Sequence, residues 1–195
     1  MTNDLLPLAT YCALMSSTPG PNNVMLTVSG ANFGYRRTLP HILGIVLGGA
    51  VQTLLCCIGL GALMAALPSS QAFLRIAGAL YLLWLAWRLA GSTVADSALQ
   101  RPLSFLQGLS FQAVNPKAWT RAMTLGAVFM PPGLATLEGA LLVSGIGTAI
   151  SMPCISMWAV FGMAIRRFLA SPRHRRLFNA MMAATLAVLA LMFLR

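Results

Sequence analysis

Long apolar runs separated by short polar segments follow one another along the whole chain. A helix needs about 20 apolar residues to cross a bilayer, so each run is long enough to form a membrane span. Two runs are interrupted by proline, which removes a backbone donor and clashes with the preceding helical turn. The pattern predicts an all-α integral membrane protein with six transmembrane helices, the first and fourth broken. The predicted spans are residues 5–29, 39–67, 72–90, 105–129, 134–163 and 177–194.

The break in the first span carries the strongest functional signal. Its residues are Thr18, Pro19, Gly20, Pro21, Asn22 and Asn23. In hydrocarbon the carbonyl groups freed by the prolines need partners, so such a break persists only where protein or a polar cavity surrounds it. The two asparagines favour a cavity. Membrane transporters place their substrates at discontinuous helices of this kind.

Composition excludes a soluble domain, and the placement of charge indicates a topology. The chain is 58% hydrophobic and 8% charged, whereas soluble domains are about 25% charged. The net charge of +10 is confined mainly to alternate connections, and those at 68–71 and 130–133 are uncharged. By the positive-inside rule the basic connections are cytoplasmic and both termini lie outside, so no nucleic-acid partner is expected. The basic connections hold Arg36, Arg37, Arg88, Arg101, Arg166, Arg167, Arg173, Arg175 and Arg176.

The order of the spans divides the chain into two halves of similar design, about 1–92 and 103–195. Each half has three spans and opens with a proline-interrupted helix. A shift of 96 positions brings three pairs into register, Gly30 with Gly126, Phe33 with Phe129 and Gly49 with Gly145. Because three is an odd number, the halves must insert in opposite orientations, and inverted repeats with corresponding broken helices mark transporter sites. We expect one transmembrane domain over 1–195, with its site between the first and fourth spans.

Lys117 and Arg121 are the most costly residues to place in a membrane. They lie four residues apart on one helix face, in an otherwise apolar stretch. A cation at this depth costs several kcal/mol and usually faces a polar interior. Since no acid lies nearby in the sequence, the pair would suit a substrate carboxylate. The alternatives are that Lys117 extends to the cytoplasmic interface and that Arg121 caps backbone carbonyls.

Amide side chains are the neutral polar candidates at the two breaks. An amide offers donors and acceptors together, so it can hold an ammonium or a carboxylate group. The alternative is that these amides close the breaks through interhelical hydrogen bonds. The substrate-binding candidates are therefore Asn22, Asn23, Gln112, Asn115, Lys117 and Arg121. The residues that shape the breaks are Pro19, Gly20, Pro21 and Pro116.

The three acidic residues, Asp4, Asp96 and Glu138, all fall away from the middle of the spans. A carrier of lysine or arginine would gain from a buried carboxylate, so their positions favour a neutral or carboxylate-bearing small substrate. They also leave proton coupling without an evident carrier, for which Glu138 is a weak candidate.

No pattern for catalysis, metal binding or a cofactor is present in the sequence, so we predict a protein that is not an enzyme and holds no cofactor. The serines of the spans, including Ser16 and Ser151, have no neighbouring base. His41 and His174 lie near predicted cytoplasmic ends and are expected to be solvated. The glycines of the second span are expected to serve close helix packing; they are Gly44, Gly48, Gly49, Gly59 and Gly61.

Three stretches of the chain resemble the LysE/RhtB family of bacterial inner-membrane exporters of amino acids. They are TPGPNN at 18–23, AGALYLLWLAW at 77–87 and FQAVNPKA at 111–118. The resemblance covers roughly residues 1–130. The doubled asparagine, the LWLAW ending of the second stretch and the approach to Lys117 are similar to the cysteine/O-acetylserine exporter branch.

This resemblance implies efflux of a small neutral amino acid across the inner membrane, driven by the proton gradient. Other cargoes stay open, among them homoserine, threonine, leucine or another metabolite. A different class also stays open, a non-transporting membrane scaffold or redox partner. The expected partners are the small substrate and the lipid bilayer, and a homodimer is compatible with so small a transporter.

Overall fold

A computed structural model describes residues 2–90, 101–166 and 168–194, and every regular element in these ranges is helical. Arg167, assigned above to a connection, and Asp96 lie outside the described residues, as does the side chain of Asp4. The helices are α1 (Thr2–Ser17), α2 (Pro21–Phe33), α3 (Tyr35–Leu55), α4 (Gly61–Ala66), α5 (Pro68–Ala90), α6 (Phe105–Val114), α7 (Pro116–Val128), α8 (Thr136–Ile165) and α9 (Pro172–Phe193). A π-helical turn, Cys56–Leu60, joins α3 to α4, and a 3₁₀ turn, Phe168–Ala170, precedes α9.

Four segments of the described chain are long and apolar enough to cross a membrane. They are Tyr35–Met64, Ala72–Ala90, Thr136–Ile165 and Pro172–Phe193, and they match the second, third, fifth and sixth predicted spans. The helices α1, α2, α6 and α7 have 16, 13, 10 and 13 residues. Each is shorter than the roughly 20 residues that a span needs.

These short helices follow one another in pairs at the two predicted breaks. The first pair is interrupted after Ser17, and Pro21 opens α2. The second is interrupted after Val114, and Pro116 opens α7. Proline is well suited to the first position of a helix, because the backbone N–H that it lacks would have no intrahelical partner there. After each break, therefore, the next helix begins at a proline.

Glycine brings α2 and α8 into backbone contact. A Cβ atom added at Gly30 would lie 2.1 Å from the carbonyl oxygen of Ala159. One added at Gly162 would lie 2.1 Å from the carbonyl oxygen of Thr27. The two helices therefore cross where each presents a residue without a side chain, a mode of packing common in membranes.

The crossing of α3 and α6 uses the same device and buries a histidine. A Cβ atom at Gly44 would lie 2.1 Å from the carbonyl oxygen of Phe105, and one at Gly108 would lie 2.7 Å from His41 Cδ2. His41 is completely buried, so the prediction of a solvated side chain is wrong. Its imidazole is covered because Gly108 lets α6 approach α3 closely.

The second predicted span bends at Gly59. This residue lies in the π-helical turn with φ 122° and ψ −15°, a conformation that residues with a Cβ rarely adopt. A Cβ atom at Gly59 would meet no atom within 4 Å in the described part of the chain, so the role of this glycine is conformational, and the packing prediction is wrong for it. The prediction is confirmed for Gly44 and for Gly48, whose added Cβ would lie 2.7 Å from Gln112 Cγ.

The helices α2, α5, α6 and α9 share the largest apolar core, in which Phe111, Leu82 and Leu186 are almost completely buried. Tyr81 stacks on Phe111 with ring centroids 4.7 Å apart. Trp84, one helical turn after Tyr81 on α5, is 39% exposed. A Cβ atom at Gly78 would lie 2.3 Å from the carbonyl oxygen of Val114, which brings α5 against the second break.

Candidate functional site

The two breaks open onto one cavity of about 70 Å³, which is room for a few water molecules or a small polar solute. All six predicted substrate-binding residues line it, namely Asn22, Asn23, Gln112, Asn115, Lys117 and Arg121. Gly20 and Pro21 line it as well, whereas Pro19 and Pro116 are not among the lining residues. The wall also includes Ser16, Gly49 and Ser151, which no sequence pattern indicated.

Lys117 ties the second break to the first. Its Nζ donates hydrogen bonds to Thr18 O at 2.8 Å, Thr18 Oγ1 at 2.9 Å and Pro19 O at 3.2 Å. These oxygens follow the C-terminal end of α1, where the helix dipole favours a cation. A Cβ atom at Gly20 would lie 3.1 Å from Nζ, so the glycine leaves space for the ammonium group. The side chain of Lys117 therefore does not extend to the cytoplasmic interface, and its ammonium group is not free of hydrogen-bond partners.

Two of the four amide candidates are engaged by the backbone at the breaks. Asn23 is 4% exposed, and its Nδ2 donates to Ser16 O at 2.9 Å and to Thr18 O at 2.8 Å. Asn115 is 2% exposed, and its Oδ1 accepts the backbone N–H of Lys117 at 3.1 Å. These bonds satisfy backbone polar groups that the breaks in the helices leave without helical partners.

The other two amides pair with each other between the breaks. Asn22 Nδ2 donates to Gln112 Oε1 at 3.1 Å, and Gln112 Nε2 donates to Asn22 Oδ1 at 3.2 Å. Gln52 of α3 supports the pair by donating from Nε2 to Gln112 O at 2.7 Å. Gln52 was missed by the sequence analysis, although an amide within an apolar run was a signal that could have found it.

Arg121 joins α7 to α8 beside the cavity. Its Nη2 donates to Ser151 Oγ at 2.8 Å and to Gly147 O at 3.1 Å. Ser16 also donates to Ser151 Oγ, at 3.0 Å, so α1 meets the same group. Nε of Arg121 is buried and has no hydrogen-bond partner among the described residues. The guanidinium group therefore uses only part of its donor capacity.

The two cations give the cavity a positive character. Within the described ranges neither Lys117 nor Arg121 pairs with a carboxylate, and Glu138 is exposed in the first turn of α8. Ser151 lies 13 residues after Glu138 on that helix, roughly 20 Å along its axis. The described residues also contain no group of three His, Cys, Asp or Glu side chains placed to hold a metal ion. The arrangement suits a small anion, or a zwitterion with a carboxylate.

Comparison with known proteins identifies the family. The profile of the family described as LysE type translocator matches residues 13–195. The cysteine/O-acetylserine efflux proteins of Escherichia coli (strain K12) and Shigella sonnei (strain Ss046) are each 32% identical over 160 residues, 81% of this chain and 82% of the relative. No solved structure gives a significant match. With several helices long enough to cross a membrane, the chain is a multi-pass membrane protein and belongs to the LysE type translocator family.

Proposed function

We propose that this protein exports small neutral amino acids or their derivatives, such as cysteine and O-acetylserine, from the bacterial cytoplasm. The observation that carries the proposal is the cavity between the two broken helices, where amides and two cations meet. Substrate sites of secondary transporters lie at discontinuous helices near the middle of the membrane. The names of the relatives, cysteine/O-acetylserine efflux proteins, supply the class of cargo.

A zwitterion with a short side chain fits the chemistry of this cavity. Lys117 and Arg121 favour a carboxylate, while no acidic side chain of the described wall would pair with a cationic side chain. The volume of about 70 Å³ favours a small cargo. Homoserine, threonine and leucine carry the same carboxylate and no charged side chain, so they stay as alternative cargoes for the same cavity.

The proposed architecture has six spans in two inverted halves. The helices α1 and α2 would form the first span, and α6 and α7 the fourth. The correspondence of Gly30 with Gly126 supports the repeat, because each meets the backbone of the other half. Gly30 lies against Ala159, and a Cβ atom at Gly126 would lie 3.0 Å from the carbonyl oxygen of Cys56.

The proposed location is the bacterial inner membrane, with basic connections in the cytoplasm and both termini in the periplasm. Arg36 and Arg37 begin α3, and Arg88 lies in the last turn of α5. Because cytoplasmic connections are rich in arginine and lysine, these ends are placed inside. Export is proposed to be coupled to the proton gradient. Glu138, exposed at the start of α8, is not proposed as the carrier.

Transport by the purified protein in liposomes tests the proposal. Labelled cysteine or O-acetylserine should cross the membrane when a pH gradient is imposed, and an uncoupler should abolish the movement. Absence of flux for a broad panel of neutral amino acids, from protein shown to be inserted, would leave a non-transporting scaffold as the better interpretation. Flux that persists after uncoupling would contradict the coupling and leave export standing.

The Asn22→Ala variant is a useful companion to that experiment. A scaffold would tolerate the change, since Asn22 is only half-buried and its partner is another side chain. A transporter with its substrate site here should lose transport while the protein stays in the membrane. Liposomes without protein give the background.

A further inference from the structure

We propose that the carboxylate of the transported amino acid binds Arg121 together with Ser151, beside Ser16, and that Lys117 is a clamp between the broken helices instead of a substrate ligand. The inference rests on the proposed function and divides the two cations of the cavity between two roles. It also adds two serines to the substrate site.

The donors of Lys117 are already used. An ammonium group has three N–H bonds, and three oxygens of the first break lie within 3.2 Å of Nζ. A carboxylate could bind this group only by displacing one of them. The displaced oxygen would then lose its charged donor. Asn23 also donates to Thr18 O, but in the described chain it donates to neither Thr18 Oγ1 nor Pro19 O. Lys117 thus uses its N–H groups to stabilise the break, and none is left to bind the substrate.

Arg121 has donors to spare. A guanidinium group carries five N–H bonds, and the hydrogen bonds that Arg121 makes within the described residues are all donated by Nη2. Nε is buried without an acceptor among the described residues. A buried N–H without an acceptor is costly, and because Arg121 lines the cavity, its remaining N–H groups face the space in which a carboxylate would lie. Charge-assisted bonds of this kind are about twice as strong as neutral ones.

Ser151 supplies a neutral donor at the same place. Its Oγ accepts from Arg121 at 2.8 Å and from Ser16 at 3.0 Å. A hydroxyl group has two lone pairs and one proton. Since both lone pairs accept, the proton of Ser151 is left to donate to a ligand.

Gly49 leaves space beside the guanidinium group. It lines the cavity, and a Cβ atom there would lie 3.8 Å from Arg121 Nη1. This distance is an ordinary van der Waals contact, so Gly49→Ala should fold while it fills the space into which the carboxylate must fit. A Cβ atom at Gly145 of α8 would meet no atom of the described residues within 4 Å, so Gly145→Ala is a matched control outside the cavity.

The test compares an amino acid with its carboxamide as competitors. Transport of labelled cysteine into liposomes is measured with excess cysteine or excess cysteine amide, which keeps the ammonium group and the side chain but lacks the carboxylate. With the unmodified protein, cysteine should compete at least tenfold better. In Arg121→Gln the apparent affinity for cysteine should fall about tenfold to a hundredfold, as loss of a charged hydrogen bond predicts. The affinity for the amide should change little.

The Lys117→Met variant separates the two roles. It should transport more slowly, because the break loses its clamp, yet retain the preference for cysteine over the amide. Ser151→Ala and Gly49→Ala should each weaken competition by cysteine more than competition by the amide, and Gly145→Ala should not. If size-exclusion chromatography shows that Arg121→Gln does not fold, the Ser151→Ala and Gly49→Ala variants test whether the carboxylate binds at this place.

Several outcomes would overturn the inference. They are retention of the preference in Arg121→Gln, loss of it in Lys117→Met, and equal competition by acid and amide with the unmodified protein. In each of these cases amino-acid transport is still observed, so the proposed function stands. Failure of the proposed function has a different signature, which is no transport of cysteine or of any other neutral amino acid by the unmodified protein.

Discussion

Replacing Gly162 by alanine should force α2 and α8 apart. The added methyl group would lie 2.1 Å from Thr27 O and 3.0 Å from the backbone nitrogen of Ala31. A carbon atom and an oxygen atom normally approach to about 3.3 Å. The helices must therefore separate by roughly 1 Å at the crossing, because a backbone carbonyl cannot rotate away as a side chain can.

The size of the effect follows from two opposing terms. Overpacking of a well-packed contact costs about 1–3 kcal/mol, and the better helix propensity of alanine returns up to about 1 kcal/mol. Since the neighbour is backbone, we expect the upper part of the range and a net loss of about 2 kcal/mol. For a chain of about 200 residues this corresponds to a drop of about 4–8 °C in the apparent Tm.

Gly145→Ala on the same helix is the control for Gly162→Ala. It makes the same chemical change, and the added methyl group meets no atom within 4 Å among the residues that the structure describes. The apparent Tm of both variants is measured in one detergent by size-exclusion chromatography after heating. Gly145→Ala should melt at or slightly above the temperature of the unmodified protein. If Gly162→Ala melts as high as Gly145→Ala, the helices are not in the close contact described here.

Three further predictions concern the breaks and the bend. Lys117→Met removes three hydrogen bonds to the first break, so its apparent Tm should fall below that of the unmodified protein. Lys117→Arg keeps a charged donor and should lower the apparent Tm less. A Tm for Lys117→Met equal to that of the unmodified protein would contradict the clamp. Asn23→Ala leaves Ser16 O without its side-chain donor and should cost about 1–3 kcal/mol, visible as a lower apparent Tm than in the unmodified protein. Gly59→Ala should cost about 1–3 kcal/mol and lower the apparent Tm, because residues with a Cβ rarely adopt φ 122° and ψ −15°; a neutral Gly59→Ala would refute the bend.

The breaks could be predicted from the sequence because the effect of proline is local. Pro21 and Pro116 each open a helix, as loss of a backbone donor requires wherever the rest of the chain lies. The rotation of a helix is not local. His41 is buried because α6, which is far away in the sequence, packs over it at Gly108. The sequence pattern of α3 alone could not show which helix covers that face.

The same distinction applies to the candidate site. Lys117 and Arg121 could be picked out from the sequence, because a cation in an apolar span costs free energy and is unusual in itself. Ser16 and Ser151 carry no such signal, because a serine in a span gains meaning only from the group it faces. Here that group is the guanidinium of Arg121. Whether these residues bind substrate stays a prediction.

Both cations of the cavity belong to one helix, α7. Under the proposed repeat, the positions that a shift of 96 residues assigns to Lys117 and Arg121 in the first half are Pro21 and Met25, which are uncharged. Two copies of the first half would enclose a neutral cavity, and two copies of the second would oppose four cations. The halves are therefore not interchangeable, and any descent from a duplicated gene requires that the charge was gained or lost on one side only.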